Sequence, residues 1–180
     1  MSLIVSEVPV ETYHTNRLTI KQFKDDDRDA HFLSEIQATL TEKVVENLPP
    51  YFHQVRSNES AEIWLSKMND ESVLYVVRAN DGSLAGFVFV YQDSGSAHIG
   101  YLLAEEYWGQ GLASELLAGF IDSIASKSGW RELVAGVDES NIASLKLLEK
   151  LGFVKQSMNE QRVVFYQYGL KNNSESEGQN

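Results

Sequence analysis

The run from Ile99 to Glu115, IGYLLAEEYWGQGLASE, gathers in one short stretch the residue types that hold an anion with main chain alone. An apolar strand runs into a turn containing Gly109 and Gly111, and an amphipathic helix follows directly. Glycines let the backbone approach a ligand with no Cβ in the way, and the helix aims its unpaired N–H groups and positive dipole end at the turn. The chemistry this suggests is phosphate binding. Taken alone, the same residues also fit an ordinary strand-to-helix connection. Two other phosphate motifs fit less well: a dinucleotide-binding GxGxxG has Ser114 at its third glycine, and the phosphate loop of nucleotide hydrolases requires a Gly-Lys-Ser/Thr that the chain lacks.

A second landmark lies further along, ESNIASLKLLEKLGF from Glu139 to Phe153. Asn141 and Ser144 open a short helix, Leu145, Leu148 and Leu151 repeat at helical spacing, and Gly152 stops it. Asn at such a place reads first as a helix cap. The two landmarks in this order resemble the GNAT superfamily of N-acetyltransferases, whose first motif reads Arg or Gln, two residues, Gly, one residue, Gly or Ala. Here Trp108 to Ala113 departs from it only at Trp108. The resemblance implies that main-chain N–H groups of Gln110, Gly111, Leu112 and Ala113, with Ser114, hold the pyrophosphate of acetyl-coenzyme A. It also implies that Leu102 and Leu103 pair with the pantetheine amides where their strand splays from its neighbour, and that Asn141 holds the same arm from the other side. The opening Thr15 to Ile36 and the Gly-rich run look like the branch containing the ribosomal-protein N-terminal acetyltransferases and the polyamine acetyltransferases. The likeness extends from about Thr15 to Leu170.

Acetyl transfer needs little from side chains, because a thioester is already activated. The protein must place a neutral amine, stabilise an oxyanion and return a proton to the departing thiolate. The resemblance implies a main-chain N–H near Leu103 as oxyanion donor. For the acid, the family's frequent Tyr, seven residues after the motif Asn, is Leu148 here; the N-terminal acetyltransferase branch uses a Ser three after the Asn, which is Ser144. A helix-opening Ser with a purely local hydrogen bond reads equally well there. Two carboxylates used as bases within the family are replaced, by Gln156 and Gly136. Glu105, Glu106 and Asp138 remain near the expected site, with Glu105 taken first. Without an obvious strong base, an α-amino acceptor, with an unperturbed pKa near 8 against about 10.4 for a lysine side chain, is expected to be preferred. Tyr166 and Tyr168 either line the acceptor pocket or belong to the core.

The elements that must position these residues alternate along the chain. Strands are expected at Arg17–Phe23, Val73–Arg78, Leu84–Tyr91, Ala97–Leu103, Leu133–Val137, Val154–Ser157 and Arg162–Tyr168. Helices are expected at Asp25–Leu40, near Ala61–Met68, at Gly111–Lys127 with Gly129 as its stop, and from Asn141. This predicts an α/β mixed sheet of about seven strands with four helices on both faces, a GNAT-like acyl-CoA N-acyltransferase fold. Residues 15–170 are read as a single domain, 1–14 as an N-terminal extension and 171–180 as a disordered polar tail.

Composition narrows the function. The 180 residues carry a formal charge of −11, which disfavours nucleic acid and suits a cationic acceptor such as a polyamine, an aminoglycoside or a basic peptide N-terminus. Solubility alone explains the same acidity. There is no Cys, and His14, His31, His53 and His98 are scattered, so no metal is expected. The absence of a membrane-length apolar run or a signal-like N-terminus predicts a cytoplasmic protein with no membrane partner. A homodimer is left open. The expected activity is acetyl transfer from acetyl-CoA to a primary amine, of a small molecule or a peptide N-terminus; the alternative is a catalytically silent acyl-CoA-binding sensor or scaffold.

Overall fold

Alternating strand residues bury side chains on both faces of one sheet. In the strand Val73–Ala79, Leu74 and Val76 join one core cluster while Tyr75 and Val77 join another. The computed structural model describes residues 10–125, 127 and 129–170. Its eight strands are β1 (Thr12–His14), β2 (Leu18–Gln22), β3 (Val73–Ala79), β4 (Leu84–Asp93), β5 (Ser96–Leu103), β6 (Glu132–Asp138), β7 (Val154–Met158) and β8 (Val163–Gly169), in the order β1-β2-β3-β4-β5-β6-β8-β7. Four helices cover them: α1 (Ala30–Thr39), α2 (Asn58–Glu71), α3 (Leu112–Ile124) and α4 (Ile142–Lys150). Side chains of α1 and α2 fill the cluster around Trp64, Phe87 and Leu102; those of α3, with Leu148 of α4, fill the one around Phe120, Val88 and Tyr166. The helices therefore lie on opposite faces.

The register prepares a cleft. β4 and β5 stay paired from Asp93↔Ser96 to Gly86↔Leu103, whereas β5 and β6, the one parallel pair, match only at Ser96↔Glu132, Ala97↔Leu133 and His98↔Val134. Beyond His98 the second half of β5 has lost its neighbour on that side, while β6 stays paired with β8 on its other edge from Glu132 to Asp138. Gly86 holds the other edge: a Cβ built there meets the Leu102 carbonyl oxygen at 2.0 Å and the Leu103 Cα at 3.0 Å. Only a residue without a side chain lets β4 approach the end of β5 so closely.

Four expectations shift. The sheet has eight strands, because three residues ahead of Thr15 add β1 at its edge; a strand this short shows no periodicity. Val10 and Tyr13 are buried, and the Tyr13 hydroxyl donates to the Leu116 carbonyl at 2.9 Å, so residues 10–14 belong to the domain and are not an extension of it. The first helix starts at Ala30, because the Asp29 side chain accepts the Phe32 N–H at 2.8 Å and the acidic Asp25–Asp27 form a separate 3-10 turn. α3 ends at Ile124, short of Gly129. The expected tail at 171–180 lies outside the described residues.

Candidate active site

Gly109 and Gly111 have φ of 69° and 75°, the left-handed region that glycine enters without strain. Gly111 is the N-cap of α3, and no side chain caps that helix. The N–H groups of its first turn are left to whatever approaches. The turn is braced from outside: Arg17 Nη1 donates to the Gln110 carbonyl at 3.0 Å, its Nε pairs with Glu115 at 3.3 Å, and Thr15 also donates to Glu115 at 3.0 Å. Trp108, where the family motif has Arg or Gln, donates its indole N–H to the Leu103 carbonyl at 2.8 Å. It thereby ties the turn to the end of β5.

A cavity of about 560 Å³ opens in front of α3. Gly111, Leu112, Ala113 and Ser114 from the start of α3, Leu102 and Leu103 from the end of β5, and Asn141 and Ser144 from the start of α4 line it. Lys43 and Lys150 line it with a single carboxylate, Glu46, so this part of an acidic protein is locally cationic. Lys43 also lies over the Trp108 ring, 5.5 Å from its centroid. The Leu102 carbonyl faces β4 and the Leu103 carbonyl is taken by Trp108. Because Ala104 donates to Ala85 at 2.8 Å, antiparallel alternation turns the N–H groups of Tyr101 and Leu103 away from β4, into the gap.

A second cavity, of about 430 Å³, occupies the gap between β5 and β6 and shares Tyr101, Asn141, Ser144, Asn47 and Leu48 with the first. At this junction the Tyr101 hydroxyl donates to Ser144 Oγ at 3.0 Å, while the Ser144 N–H donates to the Asn141 side chain at 3.2 Å. Burial pushes the Tyr101 phenol above its ordinary pKa, with the Ser144 hydrogen bond opposing, so it stays protonated at neutral pH. Asp138, on the gap wall, accepts both the Ser140 hydroxyl, at 2.5 Å, and the Ser140 N–H, at 2.9 Å. These bonds, with Arg162 nearby, hold it below the usual carboxylate range.

The other two carboxylates expected near the chemistry do not reach a cavity wall. Glu105 accepts from Thr41 at 2.5 Å, and neither it nor Glu106 lines either cavity. Gln110 also stays off the cavity wall, its side chain donating to the Glu106 carbonyl at 2.7 Å. Gln156 sits on the exposed β7, whereas Gly136 lines the gap. Tyr166 is 2% exposed and donates to Glu149 at 2.9 Å, and Tyr168 packs on Phe153; both belong to the core side. Tyr101, Lys43, Lys150 and Glu71 line the cavities without having been singled out from the sequence. Tyr101 alternates with Ile99 and Leu103 and so reads as a core position; only the splay gives its hydroxyl a cavity to reach. Among the described residues no group of three or more His, Asp or Glu is placed to hold a metal, and no helix is long and apolar enough to cross a membrane.

Comparison with known proteins points one way. Residues 17–154 match the family model of the acetyltransferase (GNAT) domain. An uncharacterized N-acetyltransferase of Bacillus licheniformis is 28% identical over 160 residues, covering 83% of this chain and 85% of that protein. Another, YoaA of Bacillus subtilis, is 28% identical over 167 residues, covering 86% and 88%. Among solved structures, RimJ of Mycobacterium smegmatis in complex with CoA-disulfide superposes with a TM-score of 0.74 at 18% identity, covering 89% of this chain and 88% of that one. RimL, a ribosomal alpha-N-protein acetyltransferase in complex with coenzyme A, superposes at 0.71 and 17% identity, covering 87% and 96%. The last two likenesses concern the fold.

Proposed function

The chain belongs to the GNAT family of N-acetyltransferases, and from that premise we propose that it transfers the acetyl group of acetyl-coenzyme A to a primary amine by direct attack in a ternary complex. The observation that carries this reading is the parting of β5 from β6 beyond His98, which leaves free main chain between a cationic cavity and an acidic one. An anionic cofactor suits the first and an ammonium the second.

In this reading the uncapped start of α3, from Gly111 to Ser114, receives the pyrophosphate, with Lys43 and Lys150 beside it. Asn141 faces the pantetheine arm across the cavity. The Leu103 N–H, directed into the gap, stabilises the oxyanion formed when the amine nitrogen attacks the thioester carbon. Collapse breaks the C–S bond and leaves a thiolate that needs a proton. A serine hydroxyl is a poor source, since an aliphatic O–H is a far weaker acid than either a thiol or a phenol. The hydrogen bond from Tyr101 to Ser144 resolves this mismatch: Ser144 passes its proton to sulfur as it takes one from Tyr101, and the phenolate recovers a proton from water. The amine's own surplus proton leaves to solvent. Asp138, held ionised, is suited to attract an ammonium more than to take its proton.

The test is release of coenzyme A thiol from acetyl-CoA in the presence of a panel of amines, with Gly111→Asp as the binding-deficient control. Amine-dependent release supports the proposal. Binding of acetyl-CoA with no release for any amine would instead make the chain a silent acyl-CoA-binding protein.

A further inference from the structure

One part of the wall of the gap between β5 and β6 is built of rings. Phe52, Phe89, Tyr51 and Tyr91 line it with Met68. Phe52 stands edge-on to Phe89 at 5.6 Å and to Trp64 at 5.7 Å, so the core holds this wall in place. Tyr91, two residues along β4 from Phe89, stacks on His98 of β5 at 4.6 Å. Among the described residues no Lys, Arg or His lines the cavity, and only two carboxylates do, Glu71 and Asp138. Glu71 is already paired with Lys67 at 2.6 Å. Asp138 accepts from Ser140 and makes no ion pair among the described residues, the nearby Arg162 being paired with Glu139. The site thus has apolar area for a body of some size and one carboxylate, Asp138, that makes no ion pair among the described residues.

We propose that the acceptor is a monoamine carried on an apolar, preferably aromatic, body, recognised by the ring wall and by Asp138. This rests on the acetyltransferase reading above and names the substrate class of the same site. The amine nitrogen meets the thioester at the shared Tyr101–Ser144 boundary while the body fills the gap. A polyamine would carry further ammonium groups into a site with no second carboxylate free of an ion pair among the described residues, and an aminoglycoside would add hydroxyls as well; buried without a partner, each such group costs desolvation free energy. A single ammonium with an aromatic body leaves nothing unpaired and gains ring contacts.

The experiment measures both turnover and binding. kcat/KM is determined for phenethylamine, for a short peptide with N-terminal Phe, for spermidine and for kanamycin; the same amines are titrated calorimetrically into the protein saturated with coenzyme A. The aromatic monoamine or the Phe peptide binds and reacts at least about tenfold better than spermidine or kanamycin, a gap that ring contacts and one charge can supply. The two aromatic arms decide whether the source is a free amine or a peptide N-terminus. Tyr91→Ala and Asp138→Asn each weaken aromatic amine binding about fivefold, while coenzyme A binding is unaffected. Preference for spermidine or kanamycin, or equal binding of all four, overturns the proposal. If the aromatic amines bind as described but no amine releases thiol, the transferase reading fails and the assignment of the cavity stands.

Discussion

The hydroxyl of Tyr101 on β5 donates to Ser144 Oγ in the first turn of α4 at 3.0 Å, joining the strand end that borders the gap to the helix that closes it. Tyr101→Phe is expected to lower kcat about a hundredfold with little change in coenzyme A affinity, since general-acid help is typically worth 10²–10⁴. Ser144→Ala is expected to act similarly, and the double variant to lose little more than either alone because both sit on one proton path. Additive losses in single-turnover kinetics would separate the two roles.

Gly111→Asp places a carboxylate at the uncapped start of α3. In a thermal melt the parent, with acetyl-CoA at a hundred times its Kd, gains about 2.7 kcal/mol, or several degrees. The variant is expected to gain none. A shift equal to the parent's would mean that the anion binds elsewhere.

Gly86→Ala probes the cavity lined by Leu102 and Leu103. Its Cβ would fall 2.0 Å from the Leu102 carbonyl oxygen, and backbone cannot swing aside as a flexible side chain can. A loss of roughly 2–4 kcal/mol, or about 5–15 °C in Tm, is expected, together with weaker coenzyme A binding as Leu102 and Leu103 move. Unchanged melting and binding would show that the β4–β5 approach is not needed.

The pH profile should belong to the substrate. Burial raises the pKa of Tyr101, and its hydrogen bonds lower that of Asp138, so one stays protonated and the other ionised from about pH 5 to 9. With neither titrating in that window, kcat/KM is expected to rise with unit slope toward the pKa of the acceptor amine and to shift when an amine of different pKa is used. A limb near pH 6–7 that ignores the amine would reveal a base on the protein.

Much of this protein is legible in the order of its residues. Local rules suffice for the Gly109–Gly111 turn, whose glycines lead within a few residues into an uncapped helix start, and for the Asn141 cap with its leucine repeat. The mixed sheet follows from hydrophobic periods of two and 3.6, and the match to the GNAT family from the spacing of the two landmarks. What tertiary structure alone decided are the relations that no local period encodes. The splay of β5 from β6 depends on pairing between segments far apart in the chain. It turns Tyr101, which the alternation of β5 makes a core residue, into the neighbour of Ser144. Glu105, next to the motif in sequence, is bound by the Thr41 hydroxyl and lines neither cavity, whereas Asp138, on the strand across the gap, lines one. Ring contacts to the buried Trp64 of α2 hold Phe52, from a 3-10 turn, and Phe89, from β4, together in the wall of one cavity. Sequence patterns report which face a residue occupies; which groups from separate elements share a cavity is set by packing over distances that periodicity does not reach.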